Sequence, residues 1–210
     1  MAHGVYDDTL RTLLHLLKYD GIEGLAKRLG ALVADEVLAI EGLPAELVVV
    51  PVPLYKKKHK TRGFNQAELL SRGVMAAVRR LRPEMQIKLA GALLRRQRAT
   101  ESQAGLTPHE RRENVRGAFF VPRPEAIAGK HVLLVDDIYT TGATARACSK
   151  ELRRAGAATV WVATVARAQK HLRWAAERPA PTTEEHELPM EEDFALWEEN
   201  GTAPMSGARN

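Results

Sequence analysis

Two adjacent aspartates, Asp136 and Asp137, stand a few residues before a small, hydroxyl-rich stretch made of Thr140, Thr141, Gly142, Ala143 and Thr144. Paired carboxylates can grip vicinal hydroxyls. The stretch after them offers closely spaced backbone N–H groups, and Gly142 can take the positive φ that curls a chain around an anion. Together they suit a sugar phosphate, its diol on the acids and its phosphate in the cup. The same segment has neither G-x-x-x-x-G-K-[ST] nor G-x-G-x-x-G, which argues against a P-loop nucleotidase and a dinucleotide site.

Such a site needs elements to hold it. Val132, Leu133, Leu134 and Val135 form the short apolar run of a strand buried on both faces, so the acids are expected at its carboxyl end, where open α/β sheets bind ligands. From Ala145 the spacing turns helical, with Ala145, Cys148, Leu152 and Ala155 on one face and Gly156 as the stop. The cup then lies at a helix N-terminus, where unpaired donors and the dipole favour negative charge.

A second candidate element is the polar stretch 55–66, YKKKHKTRGFNQ, which follows the apolar run Leu47 to Val52 and its Pro51-Val52-Pro53 end. It reads as a loop beside the same crevice. Lys56, Lys58, Arg62 and Gly63 are its candidate anion ligands, Arg62 through a planar fork and the lysines as point charges. A third element, residues 95–116, is rich in arginine and too long for a simple connector, so it is either a lid or a disordered linker. As a lid it would exclude water from the site, with Arg98, Arg111 and Arg112 as candidate catalytic cations and Gln103 beside them. Tyr6, Lys18 and Tyr19 could cap the crevice, but packing is the better reading for all three.

The rest of the chain frames these elements. Leu10, Leu13, Leu14 and Leu17 make one helical stripe, residues 22–40 a second helix and 67–81 a third. Strands are expected over 47–52, 87–94, 118–121, 132–135 and 159–165. The chain has 210 residues, 45% of them hydrophobic, enough for one α/β domain over residues 1–167. Residues 168–210 carry nine acids against four Lys and Arg and read as a largely disordered acidic tail. Before them stand 27 bases against 17 acids, so the net +5 divides into +10 and −5. A basic body favours a phosphorylated ligand or nucleic acid. No stretch reaches the length of a membrane span and no signal-peptide plan is visible, so the expected compartment is the cytoplasm. A single cysteine, Cys148, excludes an internal disulfide and reads as a core residue.

The segment VLLVDDIYTTGAT closely resembles the PRPP-binding signature of type I phosphoribosyltransferases. KYDGIEGLAKRLG, RGFNQAE and the pattern of Gln103, Leu106, Arg111, Asn114, Val115, Gly117 and Phe119 narrow this to a resemblance to ComF/GntX-type phosphoribosyltransferase-like proteins, over almost all of residues 4–167. Such proteins begin with a four-cysteine zinc module, for which this sequence has too few cysteines.

The resemblance implies a type I phosphoribosyltransferase-like α/β fold: a parallel sheet flanked by helices, an N-terminal hood over about residues 1–45, and a flexible lid. It implies transfer of phosphoribosyl from PRPP to a nitrogenous acceptor with release of pyrophosphate. Asp136 and Asp137 would hold the ribose hydroxyls, residues 140–144 the 5′-phosphate, and Lys56, Lys58, Arg62 and Gly63 the pyrophosphate, with the lid shielding a reactive sugar cation from water. Mg²⁺ would be the cofactor, held mainly by ligand oxygens and indirectly by Asp136 or Asp137. Three readings stay open: an enzyme, a non-catalytic PRPP or nucleotide sensor that assists DNA uptake, and a single-stranded nucleic-acid binder. The last explains the basic stretches but not the acid pair. Expected partners are PRPP, a nucleobase acceptor, single-stranded DNA or a competence-machinery protein, and a second copy of the chain as a homodimer.

Overall fold

The computed structural model describes residues 1–19, 22–99 and 107–168. The side chains of Glu23, Lys56, Lys57, Lys58 and Pro108 also lie outside the description. The chain divides into two units, Met1–Glu177 and Arg178–Asn210, and all described residues belong to the first. The proposed acidic tail, apart from Ala168, falls outside.

Five strands make one parallel sheet. They are β1 (Ala2–Val5), β2 (Glu46–Pro51), β3 (Gln86–Leu89), β6 (His131–Tyr139) and β7 (Thr159–Arg167), in the spatial order β1-β7-β6-β2-β3. Two short strands, β4 (Arg95–Arg96) and β5 (Phe119–Phe120), pair antiparallel as a separate ribbon. The helices are α1 (Asp8–Tyr19), α2 (Glu23–Leu38), α3 (Lys56–Arg62), α4 (Gln66–Leu81), α5 (Pro108–Val115) and α6 (Ala143–Arg154).

Period-two alternation along the central strands sorts their side chains into two cores. Val49, Leu133, Val135, Ala163 and Val165 face one core with residues of α1, α2 and α4. Val50, Val132 and Leu134 face the other with Leu94, Phe119, Cys148 and Leu152. Because both faces are covered, β6 is apolar from Val132 to Val135 and β2 from Leu47 to Val50, as buried parallel strands require. On the first face α2 and α4 meet where Gly30 and Gly73 oppose each other. A Cβ at Gly30 would lie 2.7 Å from the Gly73 backbone, and one at Gly73 would lie 2.6 Å from the Ala26 carbonyl oxygen.

Several expected boundaries shift. Strand β6 does not stop at Val135; its ladder with β7 continues to Tyr139 opposite Arg167, so the acids sit inside the strand rather than after it. Its ladder with β2 ends at Pro51 opposite Val135, and Val52 N–H makes one last bond to the Val135 carbonyl at 2.9 Å. Asp136 is therefore where the sheet opens.

Residues 55–66 are not all loop, since α3 fills most of them. Tyr55 enters extended, and Gly63 (φ 81°) closes the helix with its N–H on the His59 carbonyl. Having no apolar stripe, α3 gives no periodic signal. Strand β3 is shorter than expected, and β1 has no alternation to announce it. Residues 95–116 are structured at both ends, by β4 and α5; residues 100–106, with Gln103, lie outside the description. Helix α5 starts on a capping box in which Thr107 Oγ1 accepts from Glu110 N–H (3.3 Å) and Glu110 Oε2 accepts from Thr107 N–H (2.6 Å). The Thr-Pro-His-Glu sequence carries that signal openly. Among the described residues no helix is long and apolar enough to cross a membrane.

Candidate functional site

The site is built at the carboxyl end of β6. Asp137 is buried, and Asp136 is half-buried at the point where β2 departs. Each carboxylate is tied to the next backbone N–H: Asp136 Oδ1 accepts from Asp137 N at 2.9 Å and Asp137 Oδ1 from Ile138 N at 2.8 Å. These bonds fix both rotamers. Burial, and after it the adjacent charge of Asp137, holds the Asp136 carboxyl well above the usual carboxylate range.

The second oxygen of Asp137 is held from a distant part of the chain. Lys18 Nζ, in the last turn of α1, forms an ion pair with Asp137 Oδ2 at 2.7 Å, and that buried oxygen has no hydrogen-bond partner among the described residues. Burial works against the ammonium charge, but the adjoining Asp137 carboxylate and the Asp136 charge raise the Lys18 pKa. Packing was the better reading of Lys18 from sequence, and that reading is corrected here: its charge is paired within the acid site. Helical spacing reveals which face a lysine takes, not which carboxylate of a distant strand meets it.

The cup follows directly. Gly142 (φ 74°) leads into α6, Ala143 N–H donates to Thr141 Oγ1 at 3.4 Å, and Arg146 Nη2 donates to the Thr141 carbonyl at 2.6 Å. The helix begins at Ala143, two residues earlier than the apolar spacing suggests. A Cβ on Gly142 would run into the Tyr139 phenol, whose ring packs against the glycine. Arg167, opposite Tyr139 in the ladder, places its guanidinium 5.8 Å from the centre of that ring. Thr140 is exposed and Thr144 half-buried.

Arg62 and Gly63 close α3 beside this region. Arg62 Nη1 donates to Gln66 Oε1 at 2.7 Å, and its guanidinium lies 5.6 Å from the Tyr19 ring centre. Lys18 and Tyr19 thus reach the acid pair and Arg62 from consecutive positions. Lys56 and Lys58 belong to the backbone of the same helix, but their side chains lie outside the description.

The arginines of residues 95–116 divide. Arg98 Nη2 donates to the carbonyls of Glu113 (3.3 Å) and Arg116 (2.6 Å), so it caps the end of α5. Arg111 is half-buried, with a buried Nε that lacks a hydrogen-bond partner among the described residues, and Arg112 is exposed. No ion pair joins any of the three to Asp136 or Asp137 among the described residues. Arg96 was not singled out from sequence. It is half-buried with its guanidinium 5.5 Å from the Phe119 ring centre, and burial lowers its pKa while the nearby Cys148 and Asp136 raise it. Its position in β4, paired with Phe119 of β5, carries no sequence motif.

Comparison with known proteins decides the family. A sequence profile described as the phosphoribosyl transferase domain matches residues 61–185. The DNA utilization protein YhgH of Escherichia coli O157:H7 is 34% identical over 160 residues, covering 75% of this chain and 66% of that one. Competence protein F of Haemophilus influenzae is 31% identical over 169 residues, covering 79% of this chain and 71% of that protein. The chain belongs to the ComF-type phosphoribosyltransferase family. It spans slightly under two thirds of the length of the YhgH proteins it matches. Among solved structures, an allosteric regulatory enzyme of purine biosynthesis overlaps 66% of this chain and 25% of that chain, with 26% identity and a TM-score of 0.40. The five-stranded parallel sheet with helices on both faces is the type I phosphoribosyltransferase-like α/β fold expected for this family.

Among the described residues no three His, Cys, Asp or Glu side chains gather to hold an ion. Two carboxylates, one paired to Lys18, fall short of the six oxygens a Mg²⁺ ion takes. An ion held here would have to bring most of its oxygen ligands with it, with Asp136 or Asp137 at its margin.

Proposed function

We propose that this chain binds PRPP and transfers its phosphoribosyl group to a nitrogenous acceptor, releasing pyrophosphate. The observation that carries the reading is the convergence at one sheet end of three elements: the rotamer-locked acid pair, the Gly142 cup, and the Arg62 turn joined to the acids through Lys18 and Tyr19. In the transfer the bond from ribose C1 to the pyrophosphate oxygen breaks and a bond from C1 to the acceptor nitrogen forms. Positive charge develops on the ring between these events.

Asp136 and Asp137 would orient the ribose by its hydroxyls and set negative charge beside the developing cation. The N–H groups of residues 140–144 would anchor the 5′-phosphate, and Arg62 would receive pyrophosphate oxygens. Arg111 and Arg112 would act on the leaving group from α5, with Arg98 supporting that helix. Mg²⁺, carried by the pyrophosphate, would neutralise charge on the leaving group.

A second reading is favoured by the relatives' names, DNA utilization protein and competence protein: a PRPP-binding accessory protein of DNA uptake without turnover. Calorimetry with PRPP and Mg²⁺ tests the binding that both readings share; it is expected to be detectable and to vanish in Asp136→Asn/Asp137→Asn. Pyrophosphate release across a nucleobase panel separates them. Turnover supports the transferase, and tight binding with no release from any base supports the accessory role.

A further inference from the structure

The last turn of α1 touches both ends of the site with two neighbouring residues. Lys18 Nζ is 2.7 Å from Asp137 Oδ2, and the Tyr19 ring lies under the Arg62 guanidinium at 5.6 Å. Nothing local requires either contact. Lys18 could reach water from its half-buried position, and Tyr19 is 64% exposed and also packs on the His15 ring at 4.3 Å. Leu14 and Leu17 are buried in the first core, so the turn that bears these side chains is anchored.

We propose that the end of α1 is a clasp that presets the two halves of the ligand site, with Lys18 positioning Asp137 for the ribose diol and Tyr19 positioning Arg62 for the pyrophosphate. This deepens the PRPP reading above and rests on it. Lys18 acts through Asp137: with Oδ1 accepting from the Ile138 N–H and Oδ2 ion-paired to the ammonium, the carboxylate is held at both oxygens, by one hydrogen bond and one ion pair. A diol meeting a fixed acceptor loses less freedom on binding than one that must order it. Lys18 also offsets a site in which two carboxylates are adjacent and one is buried. Tyr19 restricts a long side chain that Gln66 otherwise holds by one hydrogen bond.

The test uses the full chain and two separate probes, ribose 5-phosphate and inorganic pyrophosphate, by calorimetry. Lys18→Met, which keeps the stem packed, is expected to weaken ribose 5-phosphate about tenfold and leave pyrophosphate within twofold; Lys18→Arg should recover most of the loss. Tyr19→Leu is expected to weaken pyrophosphate about threefold and leave ribose 5-phosphate unchanged, with Tyr19→Phe restoring it. Equal weakening of both probes in Lys18→Met, or none, overturns the clasp. If wild type binds neither probe, the PRPP reading fails. The Lys18 part is then judged by melting temperatures of Lys18→Met, Asp137→Asn and the double variant: a double that melts no lower than the worse single supports the pairing, and additive losses overturn it.

Discussion

Tyr139 lays its phenol against Gly142, three residues on, so that the last residue of β6 forms a wall of the cup at the start of α6. The contact needs both the missing Cβ and the positive φ of 74°. Gly142→Ala should therefore strain the turn and push the ring away. We expect at least a tenfold loss of ribose 5-phosphate affinity by calorimetry, with about 1–2 kcal/mol less stability in urea melts. Wild-type affinity in this variant would show that the cup is not where the phosphate binds.

Asp136 yields a pH prediction whose sign is opposite to that of a salt-bridged acid. Its folded pKa is raised, by burial first and Asp137 second, so between its ordinary value of 3.8 and the higher folded value the native state holds more protons than the unfolded one. Stability contributed by this group then falls as pH rises through that window. Asp136→Asn should be more stable than wild type at neutral pH, and the difference should disappear below about pH 4. Denaturant melts at several pH values measure it. A variant less stable than wild type at pH 7 would mean that the charge is better accommodated than its burial implies.

The Gly30–Gly73 crossing sets how closely α2 lies on α4. Gly73→Ala places a methyl against the Ala26 carbonyl and cannot be absorbed by rotating a side chain. A loss of about 1–3 kcal/mol is expected in urea unfolding. Ala at Gly24, where nothing lies within 4 Å of the added Cβ, is the control and should not destabilise.

Helix α5 has little apolar anchoring and depends on its ends. Thr107→Ala removes one half of the capping box, and Arg98→Ala removes the donor to the Glu113 and Arg116 carbonyls. Each should speed amide exchange across α5 by about fivefold without changing exchange in β6. If Arg98→Ala leaves α5 exchange unaltered but abolishes turnover, its role is at the leaving group rather than at the helix end.

Much of the frame was legible because it depends on short-range pattern. The Val132 to Val135 run could only be a covered strand, Leu10 to Leu17 and residues 67–81 carried one-sided stripes, and the acid pair with Gly142 formed a local unit that needed no distant partner to be recognised. Where pattern was absent, so was the signal. Strand β1 has four residues and no alternation, α3 has charges on every side, and β6 outran its apolar run because β7 continues to pair with it as far as Tyr139.

Sequence alone determined the chemistry available at the end of β6: two carboxylates, a turn that only glycine enters easily, and a helix N-terminus, all within one stretch of chain whose geometry is set by neighbouring residues. Only the tertiary structure decided what surrounds them. Lys18 reaches Asp137, and Tyr19 meets Arg62, because helices and strands far apart in the chain pack on the same sheet. Those contacts depend on the angle and depth at which whole elements dock, which the side-chain period of any one element does not encode.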